Sequence, residues 1–373
     1  MNTRFGRFLQ GRFFPKLFLF LHAASAAFLA FENGRAAGCL LGTGAQWIVT
    51  ALFAAAGAVT VAYSLAGKRR FGGQRFQRSI GFVLCFIIYD LMLLVAWLAC
   101  AALFQLSARA ESAGTVCAAL IAAAVVAAGY RHARSIRRAS YSIRLGEGGV
   151  RCRIAFISDV HLGAFVREAH VRRIVAQINA IEPDVVLIGG DIVDTDNQIL
   201  GDAAALDAIA GALCGIHSRE GVFAVLGNHD PSADSEPLRA FLEKSHIRLL
   251  DDESVRLSNF TLVGRTNGAS NDRAPAESFA IDRSAPVVVL DHDPCGIPEA
   301  AEMGASLVLC GHTHKGQFFP ATIFTRWANG RRFFYGRESF GRTEAVISSG
   351  AGFFQLPVRI GTDSEVVEIR LEG

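Results

Sequence analysis

The chain has 373 residues, of which 51% are hydrophobic and only 19% charged, with a net charge of +3. A balance so apolar excludes a disordered chain and points to membrane segments. No sustained basic and aromatic stripe marks a nucleic-acid surface, and none of the eight cysteines forms a C-x-x-C pair, so neither a nucleic-acid partner nor a disulfide framework is expected.

Four apolar stretches come first, at about 14–31, 43–66, 79–106 and 113–130. Each is near or above the ~20 residues that a helix needs to cross the hydrocarbon core. Arg4, Arg7, Arg12 and Lys16 precede the first. Lys68, Arg69, Arg70, Arg75 and Arg78 lie between the second and third, and Arg131, Arg134, Arg137 and Arg138 follow the fourth. The two remaining connections carry only Glu32 with Arg35, and Arg109 with Glu111. Basic flanks stay on the cytoplasmic side, so the alternation predicts a multi-pass inner (cytoplasmic) membrane protein with both termini, and the second half of the chain, in the cytoplasm. A cleaved signal peptide is the competing reading of the first stretch; the absence of a polar mature segment after it favours a helix. Asp90, in the third stretch, is a functional candidate by its cost in the membrane, with a protonated or helix-bonded packing residue the favoured reading because no run of polar residues accompanies it, and His22 reads as structural.

After Arg138 the pattern changes. Residues 1–138 are expected to form a membrane domain of about four helices, 139–151 a polar, glycine-containing linker, and 152–373 a soluble domain. RIAFISD, DVVLIGGD, VFAVLGNHD, FTLVG, PVVVLDHD, SLVLCGHTH, AVISSG and EVVEIRL read as buried strands. Val171, Ile174, Val175, Ile178 and Ile181 share one helical face within 167–181. Leu206, Ile209, Ala210 and Leu213 mark a second helix, and PLRAFLEKS a third. Alternating strands and helices predict an α/β layered domain, with ligands at the C-terminal ends of the strands.

Those strand ends carry the chemistry. SDVHLG, GGDIVD, GNHD, LDHDP and GHTHKG offer Asp159, His161, Asp191, Asn228, His229, His292, His312 and His314. All are oxygen or imidazole donors, without a thiolate, which suits Mn²⁺ and also Zn²⁺ or Fe. In an extended segment residues i and i+2 share a side, so D-x-H and H-x-H would each aim two donors at neighbouring ions. So many donors suit two divalent ions, which together clamp a phosphoryl group.

The ordered set D-x-H, G-D, G-N-H-D, H, G-H-x-H resembles the calcineurin-like metallophosphoesterase family, over about residues 150–373. The resemblance implies a layered β-sandwich flanked by helices. It also implies one metal on Asp159, His161, Asp191 and His314, and a second on Asp191, Asn228, His292 and His312, with Asp191 bridging. The residue matching His229 acts on the leaving group, and Asp230 is expected to orient it. GHTHKGQ is similar to the G-H-T-H-G-G-Q signature of membrane-associated bacterial phosphoesterases, with Lys315 in place of a glycine. Lys315, and Arg359 in the tail GAGFFQLPVRIG, are candidate substrate-phosphate ligands.

The expected reaction is metal-dependent hydrolysis of a phosphoester or pyrophosphate bond at the bilayer, on a lipid-linked or nucleotide-linked substrate. The resemblance makes UDP-2,3-diacylglucosamine, a lipid A precursor, the leading substrate. Phe318, Phe319, Phe324, Trp327, Phe353 and Phe354 either line an acyl groove or belong to the core. A broad phosphodiesterase or phosphatase, and a non-catalytic membrane sensor or scaffold, are the alternatives.

Overall fold

The computed structural model describes residues 13–66, 73–145, 151–195, 197–268, 273–278 and 281–372. Arg4, Arg7, Arg12, Lys68, Arg69 and Arg70 lie outside them. The chain divides into two compact units, residues 1–131 with 355–358, and residues 132–354 with 359–373.

The first unit contains α1 (Phe13–Leu41), α2 (Thr43–Ala66), α3 (Gln74–Leu103) and most of α4 (Ala108–Ala133). All four are long and apolar enough to cross a membrane. Glu32 and Arg35 do not form a connection, as the sequence pattern suggested. They lie within α1 as an i,i+3 ion pair of 2.8 Å, and Arg35 also reaches Glu111. Pairing the charges lets the helix run on beyond its apolar stretch. Asp90 is buried and accepts from Asn33 Nδ2 at 3.2 Å, while His22 bonds Thr60 Oγ1 at 3.0 Å. Both polar groups therefore have partners inside the bundle.

In the second unit the strands are β1 (Ile136–Arg144), β2 (Cys152–Ile157), β3 (Val185–Gly189), β4 (Val222–Val225), β5 (Ile247–Leu249), β6 (Glu253–Arg256), β7 (Thr261–Gly264), β8 (Val287–Leu290), β9 (Leu307–Cys310), β10 (Gly336–Phe340), β11 (Thr343–Ile347) and β12 (Ser364–Glu372). The helices are α5 (Glu168–Asn179), α6 (Ala203–Leu213), α7 (Glu236–Lys244), α8 (Ile297–Glu302) and α9 (Ala321–Asn329). One six-stranded sheet has the order β1-β12-β2-β3-β4-β5, and the other β10-β11-β9-β8-β7-β6.

Alternation along the strands builds a helix–sheet–sheet–helix stack. Ile154, Phe156 and Leu187 of the first sheet meet Leu262, Val288 and Leu309 of the second. Their neighbours Ala155, Ile157, Val186 and Ile188 face the other way, onto Ile174, Ile178, Ile209 and Phe241 of the helices. Val263, Val289 and Val308 likewise face Ile297 and Ala300 of α8. The runs are apolar on both faces because both faces are covered.

Residues 139–144 of the segment expected to link the two halves belong to a strand: β1 occupies 136–144 and pairs in parallel with β12, from Ile136 opposite Ser364 to Arg144 opposite Glu372. Its polar sequence misled because an edge strand exposes one side; only Ile143 in it is fully buried. Gly146, Gly148 and Gly149 lie outside the described residues. Strands β5, β6 and β10 and helices α8 and α9 were not expected; the strands are short, half-exposed segments with weak alternation.

Candidate metal centre

Strands β2, β3 and β4 are parallel, as are β7, β8 and β9. Their C-terminal ends release the five motif loops at one edge of the double sheet. The donors do not converge by strand alternation, however. Asp159, His161, Asp191, His312 and His314 all have φ between 51° and 72°. D-x-H and H-x-H are therefore left-handed turns rather than extended segments. Such backbone is costly for non-glycine residues, and clustering of it is characteristic of functional sites.

Asp159, His161, Asp191 and His314 are buried, and their ligand atoms all lie within 4.8 Å of one another. The Nε2 atoms of His161 and His314 are 3.1 Å apart, and His314 Nε2 is 3.3 Å from Asp159 Oδ1. A second group adjoins it. Asn228 Oδ1 is 2.8 Å from His312 Nδ1 and 3.2 Å from His292 Nε2. Asp191 Oδ2 stands between the groups, 3.5 Å from His161 Nε2 and 3.2 Å from His292 Nε2. Close approach is enforced by Gly227, where a Cβ would lie 2.1 Å from Asp191 Oδ1.

These residues fit metal ions. Bonds of about 2.0–2.2 Å from one ion place its ligand atoms about 3–4.4 Å apart, and the pairs given above, 2.8 to 3.5 Å apart, lie close to the short end of that range. Electrostatics agree. Against the desolvation of burial, His292 above all, with His161 and His229, holds the Asp191 carboxyl well below the usual range. Burial opposes charge on His292 too, yet Asp191 and Asp159 raise it to about 10. Burial, then His161, depresses His314, keeping that imidazole in the neutral form that ligates. A buried site that draws positive charge onto one imidazole while keeping others neutral suits cations.

His229 stands at the rim. Its Nε2 is 4.0 Å from Asp191 Oδ2, its backbone N–H donates to Asp191 Oδ1 at 2.9 Å, and its ring packs on Phe354 with centroids 4.5 Å apart. Thr195 is a side-chain partner, with Oγ1 at 2.5 Å from Nδ1. Asp230 does not occupy the orienting position expected of it. Its carboxylate accepts from the N–H groups of Val193 and Gly227, both at 2.8 Å, and so ties the Asp191 loop to the Asn228–His229 turn. Burial and then the Asp191 charge push its carboxyl up to about 7.

The two candidate phosphate ligands have other partners. Arg359 is buried and donates to the carbonyls of Ser349 (2.6 Å), Gly352 (2.6 Å) and His314 (3.1 Å). It is a clamp on the loops behind the metal donors. The Lys315 ammonium lies 4.0 Å from the Tyr335 ring centroid. Phe353 is buried beside His170, Phe354 packs on three site histidines, and Phe319, Phe324 and Trp327 are exposed. Thr195 went unnoticed in the sequence, where nothing in its spacing marks it, and Phe354 was read there as groove or core rather than as a neighbour of His229.

The folded motifs define a class: the chain carries a calcineurin-like metallophosphoesterase domain, and residues 152–316 match the family described as calcineurin-like phosphoesterase. An uncharacterized metallophosphoesterase of Helicobacter pylori is 33% identical over 227 residues, covering 59% of each chain. A Danio rerio transmembrane protein with metallophosphoesterase domain is 31% identical over 239 residues, 59% of this chain and 53% of that one. Phosphodiesterase YaeI of Escherichia coli is 26% identical over 229 residues, 59% of this chain and 82% of that one. The match thus spans less than two thirds of the first two relatives' length. With its four apolar helices, the chain is a membrane protein.

Proposed function

We propose that the chain is a dinuclear-metal hydrolase of phosphoester or pyrophosphate bonds, with a membrane domain that ends near residue 131 and a catalytic domain that begins at 132 and takes in β1. The observation that carries this reading is the meeting of two donor groups on Asp191 Oδ2. Asp159, His161, Asp191 and His314 would hold one ion, and Asp191, Asn228, His292 and His312 the other, Mn²⁺ being the favoured metal. Bound ions neutralise phosphoryl oxygens and lower the pKa of water, the attacking group.

The chain's own residues do the rest. As an imidazolium, His229 donates its Nδ1–H to the Thr195 hydroxyl and carries its second proton on Nε2, on the side facing Asp191. There it can protonate the leaving oxygen, while Phe354 fixes the ring plane. Asp230 holds the turn, and Arg359 holds the His314 loop.

The substrate reading is UDP-2,3-diacylglucosamine, within lipid A biosynthesis. It is supported by the membrane helices and by the signature-like GHTHKGQ, and the basic flanks favour a cytoplasmic catalytic domain on the inner membrane. A broader phosphodiesterase is the second reading, favoured by the likeness to a relative named as one. A non-catalytic sensor is disfavoured because every donor position is filled. The test is UMP release from the lipid by full-length protein with Mn²⁺, beside chelated protein and His229→Ala. Loss on chelation, restoration by Mn²⁺ and a fall of about 10²–10⁴ in His229→Ala are expected. Cleavage of an aryl phosphodiester without UMP release would leave the broader reading. No metal-dependent cleavage of either would refute the hydrolase.

A further inference from the structure

Helix α9 has no buried residue. Ile323, Phe324 and Trp327 follow one another at helical spacing and are 57%, 65% and 67% exposed, and Phe319 just before the helix is 43% exposed. A helix packed on a protein core turns such a row inward. Arg326 lies beside the row, and Arg331 and Arg332 follow it, all exposed. Aromatic and aliphatic side chains flanked by arginines are the composition of a helix lying in a bilayer interface.

Two further observations place that helix. It rests on the turn that carries His314, for a Cβ on Gly316 would lie 2.4 Å from Thr322 Cα, and the Thr322 N–H donates to the Phe318 carbonyl at 3.1 Å. The chain also leaves its last apolar helix at this edge of the sheet. His132 Nε2 bonds Asp363 Oδ1 at 2.8 Å, and the Ala133 carbonyl accepts from Ser364 Oγ at 2.8 Å. The adjoining Thr362 hydroxyl donates to the carbonyl of Gln317, between the His314 turn and α9. Residues 132–133, the metal loop and α9 are thus tied through residues 362–364.

We propose that α9 seats in the headgroup layer of the bilayer and holds the mouth of the metal site at the membrane surface, so that the site draws its phosphoester from amphiphiles lying in the membrane. This rests on the hydrolase reading for the substrate class, but the docking of α9 stands apart from it.

The test uses full-length protein in phosphatidylcholine vesicles containing phosphatidylglycerol. The chain has three tryptophans, Trp47, Trp97 and Trp327, so wild type minus Trp327→Phe isolates the emission of Trp327. That component should be quenched by lipid brominated near the headgroup and shielded from iodide. Quenching by iodide with no response to brominated lipid would overturn the docking, whether or not the protein hydrolyses anything. In the double variant Ile323→Glu, Phe324→Glu, metal content and cleavage of a soluble aryl phosphodiester should stay within about twofold of wild type. Cleavage of a phosphoester embedded in the vesicle should fall about tenfold or more, because the substrate's effective concentration is lost. Equal losses on both substrates, or none on either, would overturn the proposal.

Discussion

His170 makes the stability of the catalytic unit sensitive to acid in a way that one substitution isolates. The ring lies on α5, is 4% exposed, packs against Phe353 at 5.5 Å and bonds the Ala351 carbonyl through Nε2 at 2.9 Å. Burial pushes it down to about 4 from an ordinary 6.5. Between those values the unfolded chain binds a proton that the folded chain refuses, so stability is lost as pH falls from 6.5 towards 4 and is fully present above 6.5. At 1.36 kcal/mol per pKa unit, the difference of about 2.5 units amounts to about 3 kcal/mol. His170→Gln keeps a donor for Ala351 and cannot titrate. Hydrogen exchange of the β2 and β3 amides in full-length protein, corrected for intrinsic rates, reports the opening free energy at each pH. Carboxylates and metal ligands titrate alike in both proteins, so the difference between the two pH profiles isolates His170. Wild type should lose about 3 kcal/mol more than His170→Gln between pH 7 and pH 4. Parallel profiles would refute the reasoning, whatever the absolute stabilities.

Thr195→Val should lower kcat about tenfold with KM little changed, because His229 loses the hydrogen bond that orients its ring; steady-state kinetics on either substrate check it. Gly227→Ala drives a Cβ into Asp191 Oδ1, and metal analysis of the purified variant should find its content at least halved relative to wild type. Arg359→Met strips buried donors from the carbonyls of Ser349, Gly352 and His314, at about 1–3 kcal/mol for each group left unsatisfied. Hydrogen exchange of the 349–352 loop should rise accordingly with KM unchanged, whereas a rise in KM alone would return Arg359 to the role of phosphate ligand.

Much of the architecture is legible in the sequence because buried strands announce themselves. RIAFI, VVLIG and LVLC are apolar on both sides, and each ends in a polar turn, so both the strand and the edge to which it delivers its donors could be read. Segments such as 136–144 and 247–256 could not, because an edge strand is defined by the neighbour it pairs with, and Ile136 opposite Ser364 is a contact across more than half the chain.

The site divides the same way. The donor types and their order are local, and they alone identified the residues that meet around Asp191. The means by which they meet is not local: left-handed turns at Asp159, His161 and His312 replace the alternation that the spacing suggested, and tertiary hydrogen bonds hold them there. Roles that depend on a partner distant in sequence were decided only by the fold. Asp230 is adjacent to His229 yet bonds the backbone of Val193 and Gly227, while Thr195, 34 residues away, takes the imidazole. Arg359 follows a glycine-rich tail like a phosphate ligand, but burial turns it onto carbonyls. Sequence determines which chemical groups are present and in what order; which group each one touches is settled when the sheets pack and exclude water.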